Sequence, residues 1–155
     1  MPKLRIAGRV PEFSLPATGG GTWSLKDATG SKLVVYFYPR DQTPGCTREA
    51  HDFRDLQPAF RKAGVMLVGV SRDSLASHER FAARDGLHFP LLADTEETLC
   101  RMFDVIKQKS LYGRKYLGVE RSTFLIDACG RLRQEWRNVK VPGHAEAVLE
   151  AARSL

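Results

Sequence analysis

Residues 39–46, Pro-Arg-Asp-Gln-Thr-Pro-Gly-Cys, set a thiol directly after a Thr-Pro-Gly turn, where a helical pattern begins. Pro44 and Gly45 favour a turn. Ala50, Phe53, Leu56 and Phe60 then recur at helical spacing, which predicts a helix over 47–61, with Pro58 expected to kink or shorten it. Cys46 thus falls in the first helical turn. There the unpaired N–H groups and the positive end of the helix dipole favour an anion, and a thiolate is such an anion. Thr43 offers a hydroxyl to the sulfur or to whatever approaches it, and Arg40 and Arg48 add positive charge. The chemistry indicated is that of a nucleophilic sulfur. On the residues alone two readings stay open: a reactive thiol at a loop mouth, or a small buried hydrophobe, the usual fate of a free cysteine. First-turn placement favours the former, since such a residue is not expected deep in a core.

The elements that would position this thiol follow from pattern. "KLVVYFYP" (32–39), "VMLVGVS" (65–71) and "STFLID" (122–127) are continuous apolar, β-rich runs, the mark of strands covered on both faces. Asp73 or Ser74 caps a helix that runs to Asp85 and stops at Gly86. Asp94 and Glu97 have capping-box spacing ahead of a helix within 94–103. Residues 126–136 read as strand, tight turn at Cys129-Gly130, strand; "ATGGG" (17–21) is a turn; residues 143–155 form a terminal amphipathic helix. Strands alternating with helices, plus one hairpin, predict a single α/β domain over 1–155, a central mixed sheet with helices on both faces. The 39–45 loop leaves the carboxyl end of its strand, where sites gather in open α/β sheets.

Composition narrows the function. The chain has 155 residues, 43% apolar and 27% charged, enough for an ordinary soluble core. Three cysteines without Cys-x-x-Cys argue against a disulfide scaffold and a zinc ribbon. His51, His78, His88 and His144 show no ligand spacing with the cysteines, so neither metal nor cofactor is expected, and the glycines at 19–21 lack the helix and lysine of a phosphate loop. "MPKLRIAGRVPEF" has no apolar signal core and no run of 18 apolar residues occurs, so a cytoplasmic, reducing setting is expected and no membrane. The net charge of +6 is spread among acids. Its densest stretch, residues 107–115, reads as a solvated surface loop rather than a phosphate-binding one, and no nucleic-acid partner is expected.

Pro39, Thr43 and Cys46 together form Pro-x-x-x-Thr-x-x-Cys, which resembles the active-site signature of peroxiredoxins. "YFYPRDQTPGCTREA" resembles the bacterioferritin comigratory protein, or peroxiredoxin Q, group, and the likeness extends through "PEFSLPATGGGTWSLKD", "GVMLVGVSRD", "FPLLADTEETLCRMFDV" and "RSTFLIDACGRL". The resemblance implies a thioredoxin-like fold and reduction of hydrogen peroxide or organic hydroperoxides. It makes Cys46 the peroxidatic cysteine, passing through a sulfenic acid. It makes Thr43 a donor to thiolate and peroxide, Arg121 the active-site arginine that keeps the sulfur ionised, and Pro39 a shield against water. Backbone N–H groups at Gly45 and Cys46 complete the cradle, and Glu49 is a partner for Arg121 or Arg48, or else an exposed first-turn acid.

The chain departs from that group where a second cysteine is expected. Five residues after Cys46 stands His51, read as a solvated or lightly hydrogen-bonded helix residue rather than a base, and no cysteine occurs in 74–85. Cys100 and Cys129 remain. Either would need unwinding of the 46–60 helix, or a partner chain, to meet Cys46. The expectation is one-cysteine turnover by a monomer, with thioredoxin, glutaredoxin with glutathione, or another small thiol as reductant. The alternatives are Cys100 as an atypical resolving cysteine, a non-enzymatic redox-sensing or binding protein of the same fold, and a disulfide oxidoreductase, for which "TPGC" supplies one thiol too few.

Overall fold

The β-rich run after residue 31 is central to the molecule. The structure, a computed structural model, describes residues 4–155; the first three residues of the opening stretch lie outside them. Strand β1 (Ser14–Pro16) pairs with β2 (Thr22–Ser24) across the glycine turn at 19–21. Strand β3 (Lys32–Phe37) lies between β4 (Val65–Ser71), parallel to it, and β8 (Ser122–Ile126), antiparallel. With β5 (Leu91–Ala93) and β9 (Leu132–Trp136) the order is β5-β4-β3-β8-β9, a mixed sheet. Helix α1 (Pro44–Lys62) connects β3 to β4, and α2 (Leu75–Asp85) connects β4 to β5. Helix α3 (Thr98–Met102) precedes the hairpin of β6 (Ile106–Leu111) and β7 (Arg114–Val119), and α4 (His144–Arg153) closes the chain.

Strand alternation gives the sheet two apolar faces. Val34, Tyr36 and Tyr38 pack with Cys46, Ala50, Phe53 and Phe60 of α1, Phe81 of α2, and Val148 and Leu149 of α4. Leu33, Val35 and Phe37 point the other way, onto Leu99, Cys100 and Met102 of α3 and Phe13 and Trp23 of the N-terminal segment. Helices therefore cover both faces, as expected. Tyr36 stacks on Phe53 at 4.6 Å between ring centroids. Its ring also explains Gly69 on β4, where a Cβ would come within 3.0 Å of Tyr36 Cζ and 2.9 Å of Leu91 Cδ2.

Several elements differ from their sequence reading. Helix α1 begins at Pro44 and runs without interruption past Pro58, which is solvent-exposed and causes no early stop. Ser74 caps α2 by accepting from Ser77 N, and Gly86 ends it in the left-handed region at φ 63°, both as expected. The capping box at 94–97 does not form. Residues 94–97 make a turn instead, and Asp94 reaches over it to accept from Leu99 N and Cys100 N at 3.1 and 2.7 Å. Residues 107–115 are not a loop but most of the β6–β7 hairpin. Its polar Lys-Gln-Lys-Ser sequence hides the strand, because both faces of this two-stranded ribbon are largely outside the core. Among the described residues no helix is long and apolar enough to cross a membrane.

Candidate active site

Helix α1 delivers Cys46 at its third position, after Thr43 in extended conformation and Pro44 at the start, where a missing N–H costs nothing. The N–H groups of Gly45 and Cys46 thus lie in the first turn, where the helix has no carbonyl of its own to offer them. The sulfur is not at an open mouth. Cys46 is 2% exposed and packs in the Tyr36–Phe53 cluster, so the expectation of a shallow thiol is corrected. Burial does not leave it in hydrocarbon alone, however. Arg121, immediately before β8, brings Nη2 to 3.4 Å from Cys46 Sγ. The absence of a side chain at Gly45 makes the approach possible, since a Cβ there would sit 3.2 Å from the same Nη2.

Arg121 is held by Glu49, one helical turn after Cys46, at 2.6 Å between Nη1 and Oε1. The fork of one guanidinium thus joins sulfur and carboxylate. Glu49 is buried, so its partner is Arg121 rather than Arg48, and it is no exposed first-turn acid; Arg48 turns outward to Asp52. Burial works against the Arg121 cation, but Glu49 and Cys46 outweigh it and its proton is held more firmly than usual. Burial pushes the Glu49 carboxyl up to about 7, with Arg121 pulling only partly against it, and its Oε2 is buried without a hydrogen-bond partner.

This predicts a pH signature. Between the ordinary glutamate value of 4.5 and about 7, the folded chain retains a proton that the unfolded chain has released. Stability from Glu49 is therefore complete below pH 4.5 and is lost as pH rises through 7, by about 3 kcal/mol at ~1.4 kcal/mol per pH unit. In urea titrations, the stability of wild type relative to Glu49→Gln should fall by that amount across this window and level off above it. Parallel pH profiles for the two proteins would mean that Glu49 is ionised throughout.

Thr43 departs from its expected role in one respect. Its hydroxyl donates to Arg40 O at 2.9 Å and neither caps the helix nor bonds the sulfur. Pro39 lines a cavity of about 390 Å³ together with Arg121, the residue that reaches the sulfur.

With this geometry in hand, the chain can be set against known proteins. Residues 6–135 match the family model "AhpC/TSA family". The chain is 54% identical over 151 residues to peroxiredoxin Bcp of Xanthomonas campestris, covering 97% of this chain and 94% of that one. The chain belongs to the AhpC/TSA family. Its fold is similar to that of a Xylella fastidiosa PrxQ mutant, with TM-score 0.93 and 42% identity over 99% of this chain and 98% of the other. It is also similar to the Xanthomonas campestris bacterioferritin comigratory protein, whose alkyl peroxide reduction activity was studied in trapped intermediate and ligand complexes. There the TM-score is 0.87 and the identity 52%, over 92% of this chain and 90% of that one.

The other thiols of this peroxiredoxin lie apart from Cys46. Cys100 is fully buried on the opposite face of the central sheet, and burial, reinforced by Asp94, pushes its thiol far up. Cys129 is exposed in the β8–β9 turn, while Arg121 adjoins the other end of β8; five residues of strand span about 16 Å. His51 bonds Asp85 at 2.8 Å and ties α1 to α2, in keeping with a hydrogen-bonded helix residue.

Sequence reasoning missed the tether of the 39–43 loop. Asp41 accepts from Tyr38 Oη at 2.6 Å and Ser77 Oγ at 2.8 Å, and lies 2.7 Å from Nδ1 of buried His78. His78 bridges onward to Leu92 O at 2.9 Å, and the Asp41 N–H donates to Asp73. Burial disfavours the Asp41 charge, but bonds from His78, Tyr38 and Ser77 outweigh it and hold the carboxyl below its usual range. The only sequence signal was an acid inside the loop; apart from Tyr38, three residues before it, its partners stand more than thirty residues away.

Proposed function

We propose that this peroxiredoxin is a thiol-dependent peroxidase in which the Cys46 thiolate reduces hydrogen peroxide and organic hydroperoxides, and an external thiol restores it. The sulfur electron pair attacks the terminal peroxide oxygen. An S–O bond forms as the O–O bond breaks, and the departing hydroxide or alkoxide takes up a proton and leaves as water or alcohol, with Cys46 now a sulfenic acid. The 3.4 Å contact between Arg121 and the sulfur carries this reading. A cation at that point stabilises charge as it moves from sulfur to the leaving oxygen, and the N–H groups of Gly45 and Cys46 share the task. Glu49 orients Arg121. Thr43 serves after its hydroxyl rotates from Arg40 O onto the incoming oxygen, and Pro39 shields the sulfur from water.

Restoration by an outside donor (thioredoxin, glutaredoxin with glutathione, or another small thiol) is favoured by the placement of Cys100 behind the sheet. Cys46, Arg121 and Glu49 come from one chain, so a monomer suffices, and three free thiols suit a reducing cytoplasm. The test is mass spectrometry after one equivalent of peroxide, with a sulfenic-acid trap present. The expected result is label on Cys46 at near-stoichiometric yield. A Cys46–Cys100 disulfide at that yield would assign resolution to Cys100. Unconsumed peroxide with Cys46 unmodified would move the protein to a binding or sensing role.

A further inference from the structure

The β6–β7 hairpin is not used by the chemistry above, yet it concentrates what surfaces usually avoid. Among the described residues six large hydrophobic side chains stand exposed, and four of them, Leu111, Tyr112, Tyr116 and Leu117, are on this hairpin. Strand alternation puts Leu111 and Tyr116, with Lys109 and Arg114, on one face of the ribbon and Leu117, with Lys115, on the other, while Tyr112 stands at the tip. The first face, left bare by a fold that does not need it, marks an interaction surface. Residues 106–119 also carry four cations, Lys107, Lys109, Arg114 and Lys115, and no acid. Lys107 pairs with Asp104, whereas Arg114 and Lys115 are exposed without an ion pair among the described residues. At the tip, Tyr112 is 96% exposed with φ at 51°, a backbone state that an aromatic residue adopts only at a cost, followed by Gly113 at 77°. The turn therefore presents a ring to solvent from a strained position.

The location gives the surface a purpose. Lys107 and Lys109 at the base of the hairpin share the lining of the 390 Å³ cavity with Pro39, Arg121 and a single acid, Glu120. The Lys109 stem crosses Gly118, where a Cβ would lie 3.1 Å from its Cδ. The hairpin thus stands at the rim of the pocket that holds Arg121, the residue in contact with the sulfur.

We propose that the β6–β7 hairpin docks an acidic thiol-donor protein over the Cys46 site with the face that carries Lys107 and Lys109, the side chains of Leu111, Tyr112 and Tyr116 forming the contact core and Arg114 meeting carboxylates of the donor. This rests on the reading of Cys46 as a peroxidatic thiol reset from outside. In the step served, a donor thiolate attacks the Cys46 sulfenyl sulfur. An S–S bond forms, the S–O bond breaks, and hydroxide leaves as water after taking a proton. The donor's second thiol then attacks its own mixed-disulfide sulfur, releasing Cys46 as a thiolate and the donor as a disulfide. A cationic, aromatic face also suits an anionic lipid surface. Position at the rim of the cavity lined by Arg121, and the lack of an accessible second thiol there, favour the protein donor.

The experiment compares wild type, Arg114→Glu and Tyr112→Ser, driven either by an acidic thioredoxin with its reductase or by dithiothreitol. With thioredoxin, the charge reversal should lower kcat/KM about tenfold and weaken its salt dependence, and Tyr112→Ser should lower it severalfold with the salt dependence kept. Dithiothreitol-driven turnover should stay within about twofold for all three. Parallel losses with both reductants would make the hairpin a mere support for the site and overturn the proposal. So would an unchanged thioredoxin rate, including the case in which phosphatidylserine vesicles capture wild type but not the charge-reversed variant. If one equivalent of peroxide fails to oxidise Cys46 at all, the peroxidase reading fails first and takes this inference with it.

Discussion

Cys46→Ser should abolish hydroperoxide turnover, with kcat/KM falling by about 10⁴-fold or more, the scale on which loss of a covalent nucleophile is felt. The argument is one of chemistry rather than packing. A serine hydroxyl is close in shape, so the Tyr36–Phe53 cluster around position 46 keeps its form. What disappears is a polarisable sulfur nucleophile able to accept oxygen. Cys100 cannot substitute, being sealed on the other face of the sheet with its thiol pushed up by burial, and Cys129 is remote from Arg121. Peroxide consumption with several thiol donors is the measurement, alongside circular dichroism to show that the variant is folded. Turnover retained to within tenfold would remove Cys46 from the reaction.

Arg121→Met should cost about 10²–10³-fold in kcat/KM, the usual effect of deleting one preorganised donor at a site of developing charge. Methionine fills much of the arginine volume, so the loss reports the cation. The variant also leaves Glu49 without its partner, and a carboxyl already at about 7 responds by keeping its proton, which limits damage to the fold. Arg121→Lys should fall between wild type and Arg121→Met. It restores charge but not the fork that reaches Glu49 at 2.6 Å and Cys46 at 3.4 Å together. Losses confined to KM for the reductant, with single-turnover oxidation of Cys46 unaltered, would place Arg121 outside the peroxide step.

Local signals in the chain were readable where local physics decides. The Thr-Pro-Gly turn placed Cys46 in a first helical turn, Ser74 and Gly86 bracketed α2, and the runs at β3, β4 and β8 were strands buried on both faces. Depth was not readable. A first-turn position describes the backbone of Cys46, whereas its 2% exposure depends on residues of β3 and α1 that close around it. Arg121 came from likeness to peroxiredoxins and not from pattern, because one arginine ahead of a strand looks like any other. The Asp41–His78 contact spans 37 residues and has no periodicity to betray it. Strand β5 is only three residues long, and the hairpin of β6 and β7 has no apolar alternation to mark it.

On the external-thiol cycle proposed above, the central sheet that parts Cys46 from Cys100 also sets the tempo of the catalyst. On that cycle the oxidised enzyme is emptied only by encounter, so its lifetime is governed by how much donor surrounds it rather than by any motion of its own. When donor runs short, a second oxidant molecule competes for the same sulfur and can carry it to the sulfinic state, from which ordinary thiols do not recover it. On that cycle a backbone arrangement makes the state of one sulfur a gauge of donor supply.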